Sequence, residues 1–175
     1  MSKVILVLGS KSDLSRLEAS KALEILRELE VDYEVSVCSA HRNPDELKEY
    51  IDEKLDEGVT AIIGIAGMAA HLPGTIKAIA AQSGFPTVVI GVPLIAKDGF
   101  AAGLDSLLST VRMPSGMPVA VVGVDETGIV NAIHLALDVL AGEDRDFNRR
   151  YSEWIQRNAR EAEFNITTGE AKRKE

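Results

Sequence analysis

The sequence predicts a doubly wound α/β domain, a parallel sheet with helices on both faces. Three observations predict it. Five apolar runs of strand length recur along the 175 residues, helical stretches alternate with them, and the runs are apolar on both faces, the mark of strands covered above and below. With 46% hydrophobic residues the chain can bury one substantial core but not two. The expected organisation is a catalytic domain over residues 1–142, an amphipathic helix over 143–164 and a frayed tail over 165–175.

The elements follow in order. Residues 4–8 form the first strand. Residues 14–29 form a helix, with Leu17, Leu23, Ile25, Leu26 and Leu29 on its apolar stripe and Arg16, Glu18, Lys21, Glu24, Arg27 and Glu28 facing water. Residues 31–38 are the second strand. The second helix opens at Asn43-Pro44-Asp45-Glu46: Asn43 can cap, Pro44 suits the first helical position, and the acids favour the positive end of the dipole. Gly58 closes it. Strands follow at 61–66, 87–92 and 119–124, the last after a turn-rich Met113-Pro114-Ser115-Gly116-Met117-Pro118. Residues 128–141 are apolar almost all round, so one face of that helix is expected to meet another subunit. Phe147, Tyr151, Trp154 and Ile155 then stand at helical spacing on a helix that docks either on its own domain or on something else. His134 reads as a packed or interface histidine.

Composition narrows the function. A formal charge of -8 opposes non-specific nucleic-acid binding, which needs clustered cations. One cysteine, Cys38, supplies neither an intrachain disulfide nor a cysteine zinc site. No apolar run reaches about 18 residues, and Met1-Ser2-Lys3 leads straight into a strand, so a soluble cytoplasmic protein without a membrane segment is expected.

In such sheets ligands bind outside the carboxyl ends of the strands, so the strand-to-helix loops carry the chemistry. Gly9-Ser10-Lys11-Ser12-Asp13 has the make-up of an anion cradle, with Asp13 free to cap the helix or accept from a ribose hydroxyl; Ser-x-x-Asp is equally an ordinary helix start. Ser39-Ala40-His41-Arg42 puts a proton-carrying side chain beside a planar cation suited to phosphate, although a loop histidine is often only solvated and Arg42 could pair with Asp45. In the third loop the small residues Gly64, Gly67, Ala69 and Ala70 let backbone approach a planar ligand, and His71 either touches a substrate carboxylate or ties the loop to backbone.

Taken in order, GSKSD, SAHRNP, AGMAAHLPG, GVP, GLDSLLS and MPSGMPV span nearly the whole chain, and together they resemble the N5-carboxyaminoimidazole ribonucleotide mutase family. The resemblance implies a flavodoxin-like three-layer fold with a five-stranded sheet, a homo-octamer, and transfer of a carboxylate from the exocyclic nitrogen of aminoimidazole ribonucleotide to the adjacent ring carbon, with no metal or organic cofactor. It implies His41 as general acid and base; Ser10 and Asp13 at the ribose phosphate portion; Arg42 at the phosphate; and Ser39, Gly67, Ala70, His71 and Leu72 as further substrate contacts. CO2 would be released and recaptured in a small closed pocket. Two features depart from the family pattern: Arg112 stands where glutamine is usual, and residues 95–102 are about two longer. These leave direct carboxylation of aminoimidazole ribonucleotide as an alternative, although the intact AAHLPG favours the mutase, because animal-type carboxylases diverge there. Two rivals lie outside the family. A flavin mononucleotide module would need ring-stacking aromatics on the loops, where only Phe100 is available; a purely structural oligomer-forming domain would leave His41 and Arg42 unexplained.

Overall fold

A computed structural model describes residues 4–95 and 103–161. The tail from residue 165, Phe164, Phe100 and nearly all of the longer loop at 95–102 lie outside the described residues. The chain runs β1 (Val4–Leu8), a 3-10 turn (Lys11–Asp13), α1 (Leu14–Ala19), α2 (Ala22–Glu28), β2 (Tyr33–Val37), α3 (Pro44–Asp56), β3 (Ala61–Gly67), α4 (Leu72–Gln82), β4 (Val88–Leu94), α5 (Leu104–Val111), α6 (Asp125–Glu143) and α7 (Arg145–Glu161).

The strands are parallel in the order β2-β1-β3-β4. Val4 pairs with Tyr33 on one side and Ala61 on the other, and Ala61 with Val88. Side chains alternate across the sheet, which sets the layers. Val4, Leu6, Leu8, Ile63, Ile65, Ile90 and Val92 face Leu17, Leu26, Ile129, Ile133 and Leu137 of α1, α2 and α6. Ile5, Val7, Ile62 and Val89 face Leu47, Ile51 and Leu55 of α3 and Ile76 and Ile79 of α4. Fully burying one such aliphatic side chain contributes about 1.5–3 kcal/mol.

The expected three-layer α/β architecture is present, and four corrections follow. The sheet has four strands, not five. Residues 119–124 touch β4 only through an isolated bridge, in which Ala120 donates to Val89 O (3.0 Å) and accepts from Gly91 N (2.8 Å). Pro118 removes a donor, and the Val122 carbonyl is taken by Asn131 Nδ2 at 2.9 Å, so the ladder cannot continue. The first helix is broken in two: Lys21 is left-handed (φ 57), and Ser20 Oγ bonds Leu17 O and Ala22 N at the break. Asn43 makes no side-chain cap, although Pro44 does begin α3 with Asp45 and Glu46 in its first turn. Arg16 does not face bulk water; acids of α6 hold it.

The apolar girth of α6 is partly used within the chain. α7 folds back over it, burying Phe147 and Tyr151, with Trp154 Nε1 donating to Glu28 Oε2 at 2.9 Å. His134 packs between Tyr151 and Trp154, its Nδ1 2.9 Å from the Tyr151 hydroxyl. The start of α6 sits against the preceding turn so closely that a Cβ on Gly128 would lie 2.6 Å from Gly123 C and 2.7 Å from Gly123 O. Only glycine fits there.

Candidate active site

Strand order reverses at β1: the chain steps from β1 to β2 on one side, then returns to β3 on the other. The carboxyl ends of all four strands border a cavity of about 550 Å³ at that reversal. Gly9, Ser10, Ser12, Asp13 and Arg16 line it from β1 and α1, Ser39, Ala40, His41 and Arg42 from β2, Ala66, Gly67, Met68, Ala69 and Leu72 from β3 and α4, and Leu94 and Ile95 from β4.

The first loop is held open by its own hydroxyls. Gly9 N donates to Ile65 O (2.9 Å), fixing the loop to β3, and Ser10 Oγ caps the 3-10 turn as acceptor from Ser12 N (3.4 Å). Ser12 Oγ lies 2.9 Å from Ser10 Oγ and 3.3 Å from Asp13 Oδ1. The Asp13 side chain does not cap α1, which leaves the carboxylate to the cavity. Burial pushes its carboxyl above the usual range, partly offset by hydrogen bonds from the Ser12 side chain and the Ser10 backbone and by the Arg16 charge.

In the second loop Ser39 Oγ accepts from the backbone N–H groups of His41 (3.4 Å) and Arg42 (3.3 Å), a local turn that orients both side chains. Arg42 is exposed and forms no ion pair with Asp45 or any other described residue, so its fork remains available for an anion. Cys38 lies under this loop with Sγ 3.6 Å from Asn43 O. Burial, with the Glu46 charge, pushes its thiol up, which keeps it protonated and structural.

The third loop supplies the second histidine. Met68 is left-handed (φ 54), and the turn bonds Ala70 N to Met68 O and His71 N to Ala69 O at 2.9 and 2.7 Å. His71 stands at the start of α4 and turns its ring to His41: His41 Nε2 and His71 Nδ1 are 2.9 Å apart, the rings edge to face at 81°. Its side chain is thus bound neither to backbone nor to a cap. One ring nitrogen donates and the other accepts, so the contact fixes the orientation of both rings. Ala70 points into the core beside α3 and α4 and does not line the cavity, whereas Leu72 is buried and does.

The structure therefore brings together Ser10, Asp13, Ser39, His41, Arg42, Gly67 and Leu72, with His71 behind His41. Sequence reasoning missed Arg16 and the β4 end, Leu94 and Ile95. Arg16 had one signal: it is three residues beyond Asp13 and so shares its helical face. Among the described residues no helix is long and apolar enough to cross a membrane. Among the described residues no Phe, Tyr or Trp lines the cavity.

Comparison with known proteins gives the site a lineage. A family model described as AIR carboxylase matches residues 3–161. The chain belongs to the AIR carboxylase family. Within that family, the N5-carboxyaminoimidazole ribonucleotide mutase of Escherichia coli (strain K12) is 40% identical over 152 residues, covering 87% of this chain and 85% of that protein. The mutase of Haemophilus influenzae is 44% identical over 142 residues, covering 81% of each. The match to the probable mutase of Methanobrevibacter smithii, 46% identical over 95 residues, covers 54% of this chain and spans only 26% of that protein's length. In fold, the crystal structure of Treponema denticola PurE aligns over 98% of both chains with a TM-score of 0.76 at 24% identity.

Proposed function

We propose that this chain converts N5-carboxyaminoimidazole ribonucleotide to 4-carboxy-5-aminoimidazole ribonucleotide in de novo purine biosynthesis, with His41 as general acid and base. One observation carries the reading: a hydrogen-bonded histidine pair at the mouth of a nucleotide-sized cavity that offers an unpaired arginine on one side and a carboxylate with hydroxyls on the other. Arg42 would take the phosphate, Ser10 and Asp13 the ribose portion, and Gly67 the flat face of the imidazole.

The reaction needs two proton movements and no redox change. The N–carboxyl bond breaks with its electron pair left on nitrogen, CO2 departs, and protonated His41 supplies the proton that nitrogen takes up. The ring carbon then attacks the trapped CO2, and the hydrogen it carried returns to His41, which ends as it began. His71, hydrogen-bonded to His41 at 2.9 Å, holds the His41 ring in place for both transfers. Ala66, Gly67, Leu72 and Leu94 give the apolar wall that keeps water from CO2. The reaction would proceed in the cytoplasm without metal or organic cofactor.

The same reading includes assembly as a homo-octamer. Leu104, Leu108 and Val111 of α5 stand at i, i+4 and i+7 and are 48%, 42% and 45% exposed, a stripe that a second copy would cover.

The test is turnover by wild type and His41→Asn with N5-carboxyaminoimidazole ribonucleotide in one assay and aminoimidazole ribonucleotide plus bicarbonate in the other. Efficient wild-type use of the first, lost in the variant, supports the mutase. Preference for the second at low bicarbonate makes the chain a direct carboxylase. Silence in both overturns the reading.

A further inference from the structure

The cavity takes one wall from α1 and another from the end of β4, and the Asp125 side chain touches both. Asp125 Oδ1 accepts from the backbone N–H of Ile95 at 2.8 Å and forms an ion pair with Arg16 Nη2 at 2.5 Å. Glu126 holds the same guanidinium, accepting from Nη2 at Oε2 (3.1 Å) and lying 2.6 Å from Nε at Oε1 as an ion pair. Both Arg16 and Ile95 line the cavity. Asp125 makes this link from a left-handed backbone (φ 54), a conformation that costs a side-chain-bearing residue and that glycine adopts freely.

We infer that Asp125 is a positioning residue of this site: by tying Arg16 to Ile95 it sets the width of the cavity between the first loop and the end of β4. Arg16 is the intermediary, one helical turn beyond Asp13, and its charge acts on that carboxylate. With two acids on it, Arg16 is not free to take a phosphate, so its role is to hold the wall on which Asp13 stands. The inference rests on the mutase reading for its kinetic arm only.

The experiment compares wild type, Asp125→Gly, Asp125→Asn, Arg16→Met and the double variant Asp125→Gly/Arg16→Met, all as full chains. Three quantities are read: KM and kcat for N5-carboxyaminoimidazole ribonucleotide, affinity for aminoimidazole ribonucleotide by calorimetry, and hydrogen exchange at the Ile95 amide. Asp125→Gly fits the left-handed backbone, so the change removes the carboxylate without forcing the chain out of its conformation. It should speed Ile95 exchange, raise KM and weaken nucleotide binding about tenfold each, and leave kcat within about threefold, the scale of losing a charge-assisted hydrogen bond. Asp125→Asn keeps an acceptor for Ile95 and tolerates the left-handed backbone, so it should protect the amide and restore part of the affinity. The double variant should be no weaker than the worse single, because both break one link. Nucleotide affinity unchanged in Asp125→Gly, or a double effect equal to the product of the singles, overturns the inference. A wild type that binds nucleotide but turns nothing over overturns the mutase reading instead, and the affinity and exchange arms still decide the role of Asp125.

Discussion

His41 is exposed at the mouth of the cavity, so replacing it separates chemistry from stability. His41→Asn should lower kcat by about a thousandfold, the range of a general acid–base group, with no change in Tm by calorimetry. Asp13 behaves in the opposite way. Burial raises its carboxyl above the unfolded value, so its contribution to stability is full at acid pH and is lost as pH rises through its folded pKa. Asp13→Asn should therefore raise Tm at neutral pH and leave it unchanged near pH 3, below its ordinary value of 3.8, while KM rises about tenfold for loss of a charged acceptor. The cavity-lining residues Ser10, Asp13, Ser39, His41 and Arg42 were legible as candidates in the sequence because they follow strands, where a parallel sheet puts its ligands. Arg16 was not: helical periodicity places it on a polar face, and its partner Glu126 lies 110 positions away. The His41–His71 bond was equally hidden, since 30 residues of α3 and β3 separate the two rings.

At the scale of elements, apolar runs announced β1, β3 and β4 to within about two residues. They failed at 119–124, where a Val-rich run has the composition of a strand but gives its carbonyl to Asn131. Composition reports burial; it does not report which donors compete for the backbone. The break at Lys21 was hidden for the same reason, because Ser20 supplies an alternative bond to the helix. Gly128→Ala would drive a methyl into the Gly123 carbonyl, a backbone group that cannot move aside. It should cost about 1–3 kcal/mol in urea denaturation. The α7 latch carries a pH dependence. Burial holds the His134 pKa below its usual 6.5, opposed by Asp138, while the same burial pushes Tyr151 to about 12, so that both are neutral and share a hydrogen bond. A depressed histidine stabilises above its unfolded pKa and loses that contribution as pH falls, so stability should decline below about 6.5. His134→Gln should flatten that decline, read by Trp154 fluorescence against pH.

The whole molecule shows how far local pattern extends. Alternation of strands and helices was enough for the three layers, and the order of motifs was enough for the family. The use of α6 required three dimensions: its second apolar face, open to a neighbouring subunit on pattern alone, is partly covered by α7 of the same chain. Among the described residues, an exposed apolar stripe stands on α5, at Leu104, Leu108 and Val111. Leu108→Glu should reduce an octamer to smaller species in light scattering, since a buried unpaired charge in an apolar contact is strongly unfavourable. An assembly unchanged in size would place the contacts elsewhere.

Gly67 ends β3 against the carbonyl of Leu94, which a Cβ there would approach to 3.2 Å. At this point on the cavity wall, the surface that the proposed reading offers to the planar part of a ligand is peptide backbone, not side chain. Its shape is therefore almost deaf to the drift of neighbouring residues and yields only to change at the glycine itself. A lineage could alter the rim of this pocket through many small substitutions, and with it affinity and assembly, while the floor stayed fixed.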